Sequence, residues 1–233
     1  MLHKLEEQDD TDRISDSDGA LGSLVCSVKQ NARALFDDAR GSHAWDHTLR
    51  VVRLCRHIGK VEGVDLDILL SAAYLHDIGR CYQDASHGAI CHAEKGSKMA
   101  RPFLRRLAFS DHQREGILHC IRTHRFRGDQ IPTSPEAKVL FDADKLDAIG
   151  AVGVGRAFLF AGEVGARLHS PDVSIEDTVS YSVNDTGYRE FIVKLSKIRD
   201  RIMTEEGKRL ANERHAYMVG FFDRFLAEYE GER

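Results

Sequence analysis

The run Leu66-Asp67-Ile68-Leu69-Leu70-Ser71-Ala72-Ala73-Tyr74-Leu75-His76-Asp77-Ile78-Gly79 decides how the rest of the chain is read. Leu66, Leu69, Leu70 and Ala73 recur at helical spacing, and no charge falls between Ile68 and Leu75, which marks a buried helix. The pair His76-Asp77 sits at its last turn, with Gly79 placed to let the chain leave the helix. A buried acid beside a buried histidine needs a partner or a cation, because desolvating a lone charge is costly.

Outward from this run the same periodicity continues. Leu24, Val28 and Leu35 share one face, as do Val51, Leu54, Cys55 and Ile58, and further helices are predicted near 92–107, 111–125, 135–148, 150–163, 187–204 and 207–229. No run of period-two alternation is flanked by hairpin turns, so the expected fold class is all-α. Ser134-Pro135-Glu136 is a strong helix start: Ser caps, Pro suits the first helical position and Glu opposes the positive dipole end. The stretch 165–186, with Pro171, Ser174, Asn184 and Asp185, reads as the one long loop.

With 233 residues, 42% of them hydrophobic, and a mean hydropathy of −0.37, the chain has material for a sizeable core without disulfides. The net charge of −4 is unevenly spread. Residues 1–20 hold seven acids against Lys4 and Arg13, and the remainder holds 31 basic and 30 acidic side chains. The expected organisation is an acidic, disordered tail over 1–20, a helical core over 21–165, and a loop with C-terminal helices over 166–233 packed on the same domain. A near-neutral body argues against an extended nucleic-acid footprint and leaves small anionic substrates open.

Five cysteines form no CxxC pair and suggest reduced thiols in a cytoplasmic protein, with Cys81 and Cys91 read as core residues. No stretch reads as a signal peptide or membrane span. The last two helices could cover the core or a second copy of the chain equally well, which leaves a homo-oligomer open.

Nine of the twelve histidines fall between positions 43 and 124. His57, His87, His112 and His119 read as solvated helix faces, and the others invite a metal site. His47 lies one turn before Val51 at the start of an amphipathic helix and can face inward. Downstream, Asp142, Asp144 and Asp147 place three acids on an otherwise apolar helix, which is costly unless something positive meets them.

His47, the pair His76-Asp77 and Asp144 together resemble the HD-domain superfamily of metal-dependent phosphohydrolases, whose signature is a His, a distant His-Asp pair and a more distant Asp. The resemblance runs from about Ala44 to Arg233. It is nearest to a bacterial group that carries the segment read here from Asp142 to Gly153, and it includes Asn184-Asp185-Thr186, Met203-Thr204 and Glu205-Glu206-Gly207-Lys208. It implies a helical bundle with a C-terminal helical extension, in which His47, His76, Asp77 and Asp144 bind a divalent metal. That mixed N/O set suits Mn first, with Fe, Co, Ni or Mg as alternatives, and suits a closed structural zinc site poorly.

Several further roles follow, for His92, His124 and Lys145 from the resemblance and for Arg80, Asp147 and His43 from their positions beside the proposed ligands. His92 and His124 lie where two-metal members carry extra ligands, and the alternatives for them are phosphate binding, acid/base work or packing. Asp77 is a candidate to take a proton from water, and His124 or His92 to protonate the leaving oxygen. Lys145 and Arg80 are candidates to neutralise a phosphoryl oxygen, or to pair with the acid cluster. Asp147 is expected either to orient a ligating His or to meet Arg50, and His43 is assigned a supporting place.

The implied activity is hydrolysis of a phosphorylated small molecule, a nucleotide first, by metal-activated water in a pyrophosphohydrolase or phosphatase reaction. The competing reading is a metal- and nucleotide-binding sensor without catalysis. Neither a P-loop, HExxH nor GxSxG occurs, so ATP-driven chemistry, zincin proteolysis and serine hydrolysis have no support.

Overall fold

The computed structural model describes residues 22–36, 45–86, 88–125 and 130–233. The predicted acidic tail, His43 and His87 lie outside the described residues. Among the described residues ten α-helices follow in order: α1 (Ser23–Ala34), α2 (Trp45–Glu62), α3 (Leu66–Leu75), α4 (Arg80–Ala85), α5 (His92–Leu104), α6 (Asp111–Thr123), α7 (Pro135–Leu146), α8 (Gly150–Glu163), α9 (Gly187–Val193) and α10 (Glu205–Tyr229). No strand occurs among the described residues, and the fold is all-α.

Helix α3 is the centre. Every residue from Ile68 to Leu75 is buried, and the helix packs against α1, α2, α6 and α7. Fully burying a Leu or Ile side chain contributes roughly 1.5–3 kcal/mol, so a helix apolar all round is stable only with neighbours on every side. Asp65 starts α3 by accepting from the backbone of Asp67 and Ile68, and Ser134 starts α7 by accepting from Ala137 with Pro135 in the first turn. Those two caps fix the phase of the helices that deliver His76-Asp77 and Asp144.

The C-terminal half grips α7. Helix α10 packs on α7, α8 and α2, with Ala211, Met218 and Phe222 facing inward. The predicted helix over 187–204 is broken: α9 ends at Val193, and single 3₁₀ turns follow at Leu195–Lys197 and Arg199–Arg201. Lys194 leaves the helical region (φ −137°) at the break, and Asp142 fixes where the segment ends. Its buried carboxylate accepts from the backbone N–H of Met203 (2.9 Å) and of Thr204 (2.7 Å) and from the Thr204 hydroxyl (2.6 Å). Those N–H groups are thereby lost to a continuing helix, Ile202 turns extended, and Thr204 caps α10 instead.

Two further expectations change. Cys81 is exposed and Cys91 half-buried, because α4 is a six-residue surface helix with no buried residue and Cys91 lies just outside α5. Gly79 is not left-handed (φ −89°). Its lack of a side chain serves close packing, since a Cβ there would lie 2.3 Å from the His92 carbonyl oxygen and 2.7 Å from the Gly96 nitrogen.

Candidate metal centre

Five helix ends converge on one point. His47 comes from the first turn of α2, His76 from the C-cap of α3 with Asp77 next to it, His92 from the first residue of α5, His124 from the C-cap of α6, and Asp144 from the last turn of α7. All but Asp144 are at most 4% exposed, and the Asp144 side chain is 16% exposed, so the centre has one open side.

Each imidazole is bonded through Nδ1. His76 Nδ1 donates to the Ala73 carbonyl (2.8 Å) and His124 Nδ1 to the Ile121 carbonyl (2.7 Å). A carbonyl only accepts, so these two rings carry their proton on Nδ1 and present the Nε2 lone pair inward. His47 Nδ1 meets Asp147 Oδ2 at 2.7 Å, and His92 Nδ1 meets Gln83 Oε1 at 2.9 Å. The four Nε2 atoms therefore face one another, His76 to His47 at 3.3 Å and His92 to His124 at 3.0 Å.

Asp77 lies between the two pairs. Its Oδ1 is 3.2 Å from His92 Nε2 and 3.6 Å from His124 Nε2, and its Oδ2 is 3.7 Å from His76 Nε2 and 3.9 Å from His47 Nε2. Two triads result, His47/His76/Asp144 and Asp77/His92/His124, each with one ligand atom per residue within 4.8 Å of the others. Lone pairs converging on one another at these distances repel unless a cation or a proton stands between them. The donor set therefore fits divalent metal.

Electrostatics agrees with that fit. Burial alone would depress His47, but hydrogen bonds to Asp144 and Asp147 and the charges of Asp144 and Asp77 raise it to about 9. Burial lowers His76 to about 4 and His92 to about 3, against the pull of Asp77 in both cases. One proton on His47 thus holds the place of a cation in the metal-free centre. Burial would raise Asp144, yet Lys145 and His47 keep it well below the usual carboxylate range.

The remaining candidates fall around this core. Lys145 Nζ is 2.7 Å from Asp144 Oδ2, and Arg80 faces Asp84 at 3.4 Å while its charge helps to depress His92. Asp147 meets both expected partners, His47 and Arg50, the latter at 2.7 Å. Asp142 takes no part, being spent on Met203 and Thr204. His57, 52% exposed, pairs with Glu206. Sequence reading missed Gln83, on the short α4, and Arg156, whose Nη1 lies 2.6 Å from Asp147 Oδ2. The signal for Arg156 was its place as the sole charge between Gly150 and Gly162.

A bundle that gathers a His, a His-Asp pair and a distant Asp at converging helix ends is the arrangement of the HD domain, and a family model of that description matches residues 44–149. The chain belongs to the HD-domain family and has the fold of the HD-superfamily hydrolases. Among its relatives, YpgQ of Bacillus subtilis (strain 168), an uncharacterized protein, is 30% identical over 210 residues, covering 83% of this chain and 88% of YpgQ. The crystal structure of YpgQ in complex with ADP has a TM-score of 0.68 at 29% identity, over 88% of this chain and 96% of that one. An HD-superfamily hydrolase from Bacillus thuringiensis has a TM-score of 0.70 at 27% identity, over 88% of this chain and 96% of the other.

Among the described residues no helix is long and apolar enough to cross a membrane.

Proposed function

We propose that this protein is a divalent-metal-dependent phosphohydrolase that acts on a nucleotide, with a nucleoside triphosphate cleaved to monophosphate and pyrophosphate as the first choice. The observation that carries the reading is Asp77, whose two oxygens divide between the His47/His76/Asp144 triad and the His92/His124 pair. Such a carboxylate suits two cations sharing one ligand. Bound metal, Mn first, would supply Lewis acidity that activates water and polarises a phosphoryl oxygen.

The chain's own contribution is placement. Nδ1 bonds to Asp147, Ala73, Gln83 and Ile121 lock the four rings with Nε2 inward. His92, lowered to about 3 by burial, is neutral at pH 7, which favours a lone-pair donor over a general acid. With both oxygens of Asp77 engaged, a general-base role for it belongs to a one-cation form. Lys145, on the open side beside Asp144, and Arg80, near His92, are the cations that would meet phosphoryl oxygens. The ADP complex of YpgQ supports a nucleotide as the class of ligand.

The test is product analysis. Protein with Mn²⁺ is incubated with nucleoside mono-, di- and triphosphates and model phosphodiesters, beside Asp144→Ala, and products are separated by chromatography. Monophosphate with pyrophosphate is the expected result. Loss of one phosphate would instead make the enzyme a phosphatase, and nucleotide binding without turnover would leave a sensor.

A further inference from the structure

Asp147 is the most heavily bonded carboxylate of the centre. Its Oδ1 accepts from Arg50 Nε (2.7 Å), and its Oδ2 accepts from His47 Nδ1 (2.7 Å), Arg50 Nη2 (3.1 Å) and Arg156 Nη1 (2.6 Å). Arg156 Nη1 also reaches the Asp147 carbonyl at 3.3 Å. Three of the four donors converge on Oδ2, the oxygen that meets His47 Nδ1, so the orientation of this carboxylate and its hold on His47 are set together. Asp147 and Arg50 lie within the segment matched by the HD-domain model, whereas Arg156 lies on α8, beyond its end at residue 149.

We propose that Arg156 is a positioning residue of the metal centre: it fixes the Asp147 carboxylate, which in turn holds His47 with Nε2 toward the metal. The inference rests on the metal-centre reading above. Removing Arg156 would leave Asp147 tethered from one side by Arg50, whose own side chain is one-quarter exposed and shared with Asp46 at 2.6 Å. The carboxylate could then rotate away, and the His47 ring would lose the bond that sets its tautomer and direction. Carboxylates that orient a ligating histidine typically govern metal affinity about 10–100-fold.

The experiment is a double-mutant cycle read by Mn²⁺ titration calorimetry and by the visible spectrum of the Co²⁺ form, with no substrate present. Arg156→Gln is expected to weaken Mn²⁺ binding about 10–100-fold and to perturb the Co²⁺ spectrum, while adding nothing in an Asp147→Asn background. Arg156→Lys, which keeps a cation to meet Asp147 Oδ2, is expected to stay within about threefold of wild type. Circular dichroism of each metal-free protein checks the fold, and if Arg156→Gln does not fold the Lys variant carries the test. Unchanged affinity in Arg156→Gln, an equal loss with and without Asp147, or a folded Lys variant as weak as a Gln one would overturn the proposal. A wild type that binds no Mn²⁺ would overturn it together with the metal-centre reading.

Discussion

Gly79 lies so close to His92 that a Cβ on it would stand 2.3 Å from the His92 carbonyl oxygen, a separation no folded backbone sustains. The residue that follows the His-Asp pair by two positions thereby seats the start of α5, which delivers His92 to the centre.

Gly79→Ala is therefore expected to destabilise the protein by more than about 2 kcal/mol, because the obstacles are backbone atoms of His92 and Gly96 that cannot swing aside. The shift it forces on α5 should also weaken the Asp77/His92/His124 triad. Urea unfolding and Mn²⁺ titration check the two effects. A fully stable Gly79→Ala would mean that α5 can move away freely.

The histidines predict how metal-free stability depends on pH. His47 is raised from 6.5 to about 9 in the folded protein, so its contribution is fully present below pH 6.5 and is lost as pH rises through 9. That difference corresponds to about 3 kcal/mol. His76, at about 4, and His92, at about 3, act with the opposite sign: they stay neutral in the fold and cost stability as pH falls below 6.5. Urea unfolding in chelator should show a maximum near pH 6.5, with the decline on the alkaline side absent in His47→Gln. A wild-type profile that rises from pH 6.5 to 9 would contradict it.

How much of this could be read in the sequence depended on the range of the interaction. The helical phase of Leu66–Leu75 and the cap at Ser134 are local, and they place His76, Asp77 and Asp144 without knowledge of the rest. For Asp147 the shared face with Asp144 offered a ligating His or Arg50 as alternatives, and the structure joins it to both His47 and Arg50. Gln83 sits on a six-residue helix too short to show periodicity. Asp142 ends a predicted helical stretch 61 residues away, and Arg156 reaches a site outside its own helix. No local pattern announces which distant cation a buried carboxylate will meet.

Asp142→Ala separates the structural acid of α7 from the other two. It strips the partners from Met203 N–H, Thr204 N–H and the Thr204 hydroxyl, two of which are buried at Thr204. Leaving such donors unpaired costs about 1–3 kcal/mol each, less what water recovers, so a loss of about 2–4 kcal/mol is expected. Mn²⁺ affinity should change less than threefold by titration, since the Asp142 carboxylate is bonded to Met203 and Thr204 and belongs to neither triad. A loss of metal with unaltered unfolding would place Asp142 among the ligands instead.

His124→Ala asks whether the centre holds one cation or two. His124 Nε2 faces Asp77 Oδ1 and His92 Nε2, and it contributes to one triad only, so its removal leaves His47, His76 and Asp144 complete. Elemental analysis after exhaustive loading with Mn²⁺ should find about two ions per wild-type chain and about one in His124→Ala if each triad holds a cation. Asp77→Asn, which weakens the shared ligand, should reduce both. A wild type that binds a single ion, unchanged in His124→Ala, would assign all metal to the first triad and return His92 and His124 to contacts with the substrate phosphate.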